Sequence, residues 1–137
     1  MATTAQAAEG EIGQVKTVAG EAYLVHDGDR TDATPSAAVF ENDMVETGAD
    51  GSIGITFNDN TVISAGPNTE LAFDEYSYDP STLEGSMLAD LLSGTLAVDS
   101  GDMVRASPDA MRVKTPSAIL GVRGTKFLIR VGAEGGQ

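Results

Sequence analysis

The chain has 137 residues, 41% of them hydrophobic and 5% aromatic, with no cysteine, no tryptophan and a formal charge of −13. That is one domain by size, large enough to bury a core unaided, and without cysteine there is no disulfide framework, thiol nucleophile or zinc-thiolate site. The acidic total repels phosphate backbones and anionic lipid, and so few aromatic rings argue against a stacking surface for single-stranded nucleic acid.

The charge is unevenly placed. From Met1 to Asp102 nineteen acidic residues face only Lys16 and Arg30, a balance of −17; from Met103 onward six basic residues face Asp109 and Glu134, a balance of +4. A solvated acidic surface that keeps strand edges unpaired explains the first part. The basic end, with Arg112, Lys114, Lys126 and Arg130, suits an acidic partner or the acidic part of a second copy. No stretch approaches the roughly 18 apolar residues of a membrane span.

Along the chain, residues 1–11 are rich in Ala, Thr and Gln and are expected to form a flexible or partner-held tail, with a second short tail at residues 132–137. Ala5-Gln6-Ala7 is similar to the small-residue pattern before a signal-peptidase cut. An export signal already removed is therefore expected, and these residues do not settle whether Met1 is the native start. Residues 12–131 read as one all-β domain of short strands. Gly13–Val18 and Glu21–Val25 flank Ala19-Gly20, which is expected to turn a hairpin, and His26–Asp32 reads as a polar connection. A strand begins at Val39 and Phe40, Asn42-Asp43 turns, and Val45 faces inward. Ser52–Phe57 and Thr61–Ser64 form a hairpin closed by Asn58-Asp59-Asn60, residues that tolerate the left-handed backbone of a tight turn.

Glu70–Phe73 follows the Gly66-Pro67-Asn68 turn, and Tyr76-Ser77-Tyr78 leads into Asp79-Pro80-Ser81. Ser86–Leu92 fits either a short helix capped by Ser86 or a strand, and the strand is preferred because Leu92–Val98 alternates. A bulge or corner is expected between Gly121 and Gly124, followed by an alternating strand with Phe127, Ile129 and Val131. The spacing of about 8 to 12 residues per strand fits an irregular β-solenoid or a β-sandwich.

Signatures of catalysis are missing. The single histidine, His26, has no cysteine to activate and no Gly-x-Ser-x-Gly elbow nearby, and reads as a surface residue at a strand end. No phosphate-cradling or dinucleotide loop leads into a helix, so no cofactor is expected. Asp27, Asp29 and Asp32 offer oxygen ligands of the kind calcium takes, but not in EF-hand order, and Arg30 sits among them. The residues themselves leave calcium binding there open.

Several segments resemble the FecR domain, the module named for the regulator of ferric citrate transport. They are D-M-V-E-T-G at Asp43–Gly48, T-F-N-D-N-T at Thr56–Thr61, G-P-N-T at Gly66–Thr69, G-T-L at Gly94–Leu96 and T-P-S-A-I-L-G-V-R-G-T-K-F at Thr115–Phe127. The resemblance covers Ile12 to Val131. It implies an extracytoplasmic, periplasmic or extracellular, protein-binding module with a signalling or scaffold role and no catalysis. In full-length regulators of that family the domain lies outside the inner membrane, after a sigma-factor-regulating segment and a membrane helix. This sequence is similar to stand-alone copies, so sigma-factor control is not carried over. Within the closing motif Arg123 is expected to clamp backbone carbonyls at a turn or to touch a partner. The alternative to a docking module is a structural subunit that self-assembles head to tail into an open polymer.

Overall fold

The computed structural model describes residues 10–107, 109–122 and 126–131. Among them the chain forms β1 (Glu11–Ala19), β2 (Ala22–His26), β3 (Asp29–Asp32), β4 (Ala38–Phe40), β5 (Met44–Thr47), β6 (Ser52–Phe57), β7 (Val62–Ala65), β8 (Glu70–Asp79) and β9 (Glu84–Asp99). A single helical turn, α1 (Asp102–Ala106), is followed by β10 (Met111–Lys114), β11 (Ile119–Gly121) and β12 (Lys126–Val131).

The strands join in one sheet that curls onto itself, in the order β3-β2-β5-β8-β9-β7-β6-β1-β4 with every neighbour antiparallel. Beyond that path, β10 lies parallel to the first half of β9 and β12 antiparallel to its second half. The alternation seen in the sequence therefore produces two layers with a shared core. Ile53, Ile55 and Phe57 of β6 point into it from one layer, and Leu71, Phe73 and Tyr76 of β8 from the other. The Phe57 ring meets Phe73 edge-on at 5.3 Å between centroids and stacks on Tyr76 at 5.7 Å, arrangements that favour aromatic pairs beyond the area they bury.

Two sequence expectations change, and one open alternative closes on the preferred strand. Ala19-Gly20 does not close a hairpin: β1 pairs with β4 and β6, whereas β2 pairs with β3 and β5, so the chain crosses between layers there. The polar run at 26–32 contains a strand, because Asp27 and Gly28 both take positive φ (51° and 86°) and turn a tight hairpin that pairs β3 with β2. Ser86–Leu92 is strand, with Met87, Ala89 and Leu91 buried and ladder partners on both sides in β8 and β10. The helical turn lies later, at α1. The β6–β7 hairpin, the Asn42 turn at φ 75° and the inward Val45 match expectation. At the expected corner near Gly121, Val122 is buried and the next three residues lie outside the described set.

Four places where the chain changes layer stack along one side: residues 19–21, 47–51, 66–69 and 93–95. Backbone bonds join them, Gly48 N–H to Glu21 O (2.9 Å), Asn68 N–H to Gly48 O (3.0 Å), Thr47 N–H to Thr69 O (2.9 Å) and Gly66 N–H to Thr95 O (3.1 Å). Two threonines complete the seam. Thr47 Oγ1 donates to Gly66 O (2.6 Å) and accepts from Thr69 N–H (2.9 Å), while Thr69 Oγ1 accepts from Thr95 N–H (3.1 Å).

Gly94 is the point at which β9 passes from one layer to the other, with φ of 97°. A Cβ there would overlap both the side chain and the Cα of Thr69. At Gly28 the φ is also positive, but a Cβ would meet nothing within 4 Å. Gly28→Ala should thus cost only the conformational penalty of about 1–2 kcal/mol, whereas Gly94→Ala should cost clearly more, because backbone must move as well. Urea unfolding of the two variants checks this, and equal losses would contradict the crowding at the seam.

Candidate docking surface

Opposite the seam, two buried carboxylates organise the turns. Asp59, in the Asn58–Asn60 turn, is fully buried. Its Oδ1 accepts from Thr61 N–H (3.1 Å), and its Oδ2 accepts from the Thr61 hydroxyl (2.8 Å) and from Met103 N–H (3.2 Å). Its own N–H donates to the Tyr76 hydroxyl (3.2 Å), and its carbonyl accepts from Asp102 N–H (2.8 Å). Asp59 thereby holds α1 against the β6–β7 turn. Burial, and then the Asp59 charge, push the Tyr76 phenol far above its ordinary range, so it stays neutral and its hydroxyl donates to Asp59 Oδ1 (3.4 Å).

Asp43, 2% exposed, accepts from Phe40 N–H (2.9 Å) and faces His26 Nδ1 at 2.5 Å. The other ring nitrogen, Nε2, faces Asp27 at 3.4 Å, and the imidazole lies against Phe40 with centroids 5.1 Å apart. The hydrogen bond to Asp43 and then its charge raise the His26 pKa above the usual imidazole value. With carboxylates at both nitrogens, His26 fastens the end of β2 to the β4–β5 turn. Sequence reasoning left it as a lone surface histidine. Its partner is 17 residues away, and the β2–β5 ladder, in which Val25 faces Met44, sets the two side by side.

The acidic residues at 27–32 separate. Asp27 sits in the hairpin turn beside His26, while Asp29 and Asp32 lie on β3 at exposed positions. Arg30 turns back over the Tyr23 ring (3.9 Å to the centroid) and toward Glu46 (3.4 Å). Among the described residues, no group of three or more His, Cys, Asp or Glu side chains converges as metal ligands would.

The basic residues divide between the two outer faces. Arg112 and Lys114 project from β10 on one layer; Arg112 is exposed, and Lys114 lies between Asp74 (3.7 Å) and Asp90 (3.6 Å). Lys126 and Arg130 project from β12 on the other layer, both exposed, with Lys126 paired to Asp99 at 3.3 Å. Arg123 lies outside the described residues. Arg112, Lys114, Lys126 and Arg130 therefore form two separate basic pairs on opposite faces.

Around the β12 pair the outer surface is apolar and shallow. Cross-strand rows run Val62–Asp99–Lys126 and Ser64–Ala97–Leu128. These six residues line a trough of about 530 Å³. Because Ser64 and Ala97 are small, nothing beside Leu128 among the described residues rises to cover it, and it is 68% exposed against 39% for Val62. Underneath, Ile129 is buried and Phe127 and Val131 pack on the core, which fixes the strand. Among the described residues, β12 pairs on one side only.

Two stability predictions test the buried corners. Tyr76→Phe should cost about 1–2 kcal/mol by leaving the Asp59 N–H without its acceptor, and Asp59→Ala at least about 3 kcal/mol by orphaning several donors; denaturant unfolding measures both. For His26, the folded pKa is raised above the unfolded value of about 6.5. Its stabilisation is therefore fully present below that pH and is lost as pH rises through the folded pKa. The gap in urea midpoint between the native chain and His26→Asn should shrink from pH 6 to pH 8; a gap that widens contradicts the pairing.

Among known proteins, the family model described as FecR protein matches residues 43–137. No curated protein and no solved structure matches the chain. The matched range begins at the buried Asp43 and leaves out β1 to β4, although β1 lies between β6 and β4 in one layer and β2 between β5 and β3 in the other.

Proposed function

Since the chain belongs to the FecR family, we propose that it is an extracytoplasmic module that binds protein and serves a signalling or scaffold role in the bacterial envelope. The observation that carries this reading is the surface of β12, where Leu128, the most exposed large hydrophobic among the described residues, stands between Lys126 and Arg130 on a strand anchored from below by Ile129. An exposed apolar group set among polar ones on a rigid strand is what a docking surface presents. The buried polar groups, by contrast, hold turns: Asp59 and Asp43 both bond backbone N–H groups. No helix of the described residues is long and apolar enough to cross a membrane, in keeping with a domain that works beside the membrane.

A second reading, a subunit that self-assembles, draws support from the open edges. All four residues of β3 are exposed, including Asp29 and Asp32, and β12 offers cations. The two readings separate experimentally. A photo-crosslinking amino acid at position 128, with the protein exported in a Gram-negative host, should give a discrete band with another envelope protein, and the purified chain should scatter light as a monomer at low and moderate salt. A ladder of homo-oligomers from the same position, with matching light scattering, favours the subunit instead.

A further inference from the structure

We propose that the free edge of β12 receives an extended protein segment with acidic side chains two positions to either side of an apolar one, added as a further strand to its layer. The inference rests on the protein-binding reading and names the surface and the chemistry of the partner.

Length comes first. The outermost strands of the described sheet are β3, β4, β11 and β12, with four, three, three and six residues. Only β12 is long enough to direct the backbone groups of three alternate residues to a side that is unpaired among the described residues. An exposed edge of that kind takes up an extended chain through main-chain hydrogen bonds, and alternate side chains supply specificity.

The alternate side chains are Lys126, Leu128 and Arg130, all exposed on the same face. A chain of net charge −13 thus carries at this edge a cation, an apolar group and a cation in register. Opposite them, cross-strand pairing favours a carboxylate, an apolar side chain and a carboxylate. Arg130 has no ion pair with a described residue. The Lys126–Asp99 pair is exposed on both sides, 78% and 47%, and a pair that open to solvent holds the ammonium weakly. An incoming carboxylate can share it.

The same charges select against a second β12. Antiparallel pairing of two copies about Leu128 sets Lys126 of one opposite Arg130 of the other, twice, and like charges directly opposite destabilise a ladder. The edge is closed to its own kind and open to an acidic strand.

The test uses the full chain, labelled with nitrogen-15, and two peptides: acetyl-Ser-Glu-Val-Leu-Val-Glu-Ser-amide and the same sequence with lysine in place of glutamate. The acidic peptide should shift the β12 amides and slow exchange of those pointing away from β9, and should bind at least about tenfold more tightly than the basic one. Lys126→Glu combined with Arg130→Glu should reverse that order; both side chains are exposed, and an unchanged thermal midpoint confirms that the variant folds. Equal binding of the two peptides, shifts centred away from β12, or a chain dimer dissolved by Leu128→Glu would each overturn the proposal. A cross-link from position 128 that survives the double charge reversal leaves protein binding intact and removes this edge chemistry alone.

Discussion

The fold depends on close packing of corners. Every strand that changes layer must bend through backbone whose amides and carbonyls leave the ladder, and buried backbone groups need partners. The chain meets this by stacking four corners that bond to their neighbours, Gly48 N–H to Glu21 O, Asn68 N–H to Gly48 O and Gly66 N–H to Thr95 O. Thr47 and Thr69 fill the gaps with hydroxyls that reach backbone on neighbouring corners. Such stacking brings backbone against backbone, which is why the Gly94 corner lacks room for a Cβ beside Thr69. The two layers cannot separate without breaking this seam.

At the opposite side the same problem is solved with carboxylates. Asp43 and Asp59 are both nearly or wholly buried in a chain of strongly negative charge. Each accepts hydrogen bonds from backbone N–H groups, the arrangement in which a buried carboxylate is tolerated. Asp59 adds the helical turn α1, and Asp43 adds His26. These polar groups hold turns in place while Phe57, Phe73 and Tyr76 fill the space between the layers.

With corners and turns secured, the remaining polar and charged residues are free to shape the outside. Internal pairs already neutralise some of the basic residues: Lys114 lies between Asp74 and Asp90, and Arg30 between Tyr23 and Glu46. Along β12 the cations stay at the surface around an uncovered leucine, because the strands behind it contribute only Ser64 and Ala97. The small residues on β7 and β9 thus expose Leu128 as surely as its own position does.

Period-two alternation and turn chemistry determined by themselves that the protein is all-β, that β6 and β7 form a hairpin, that Asn42 turns and that Val45 faces the core; these are local properties, carried by residues within a few positions of each other. The order of residues likewise carried the family resemblance, which the family match bears out over residues 43–137. Tertiary structure alone decided the rest. Strand β3 has no apolar alternation and forms because the Asp27-Gly28 turn lays it against β2. Ser86–Leu92 fits either a helix or a strand by its own pattern, and the strand favoured by the alternation after it is held by ladders from β8 and β10. Pairings that no local pattern marks bring His26 to Asp43, through the β2–β5 ladder, and Tyr76 to Asp59, across the two layers, each pair 17 residues apart. They also divide the basic segment between two faces, because strand neighbours are chosen by which ladders and corners close, and that depends on contacts distant in the chain.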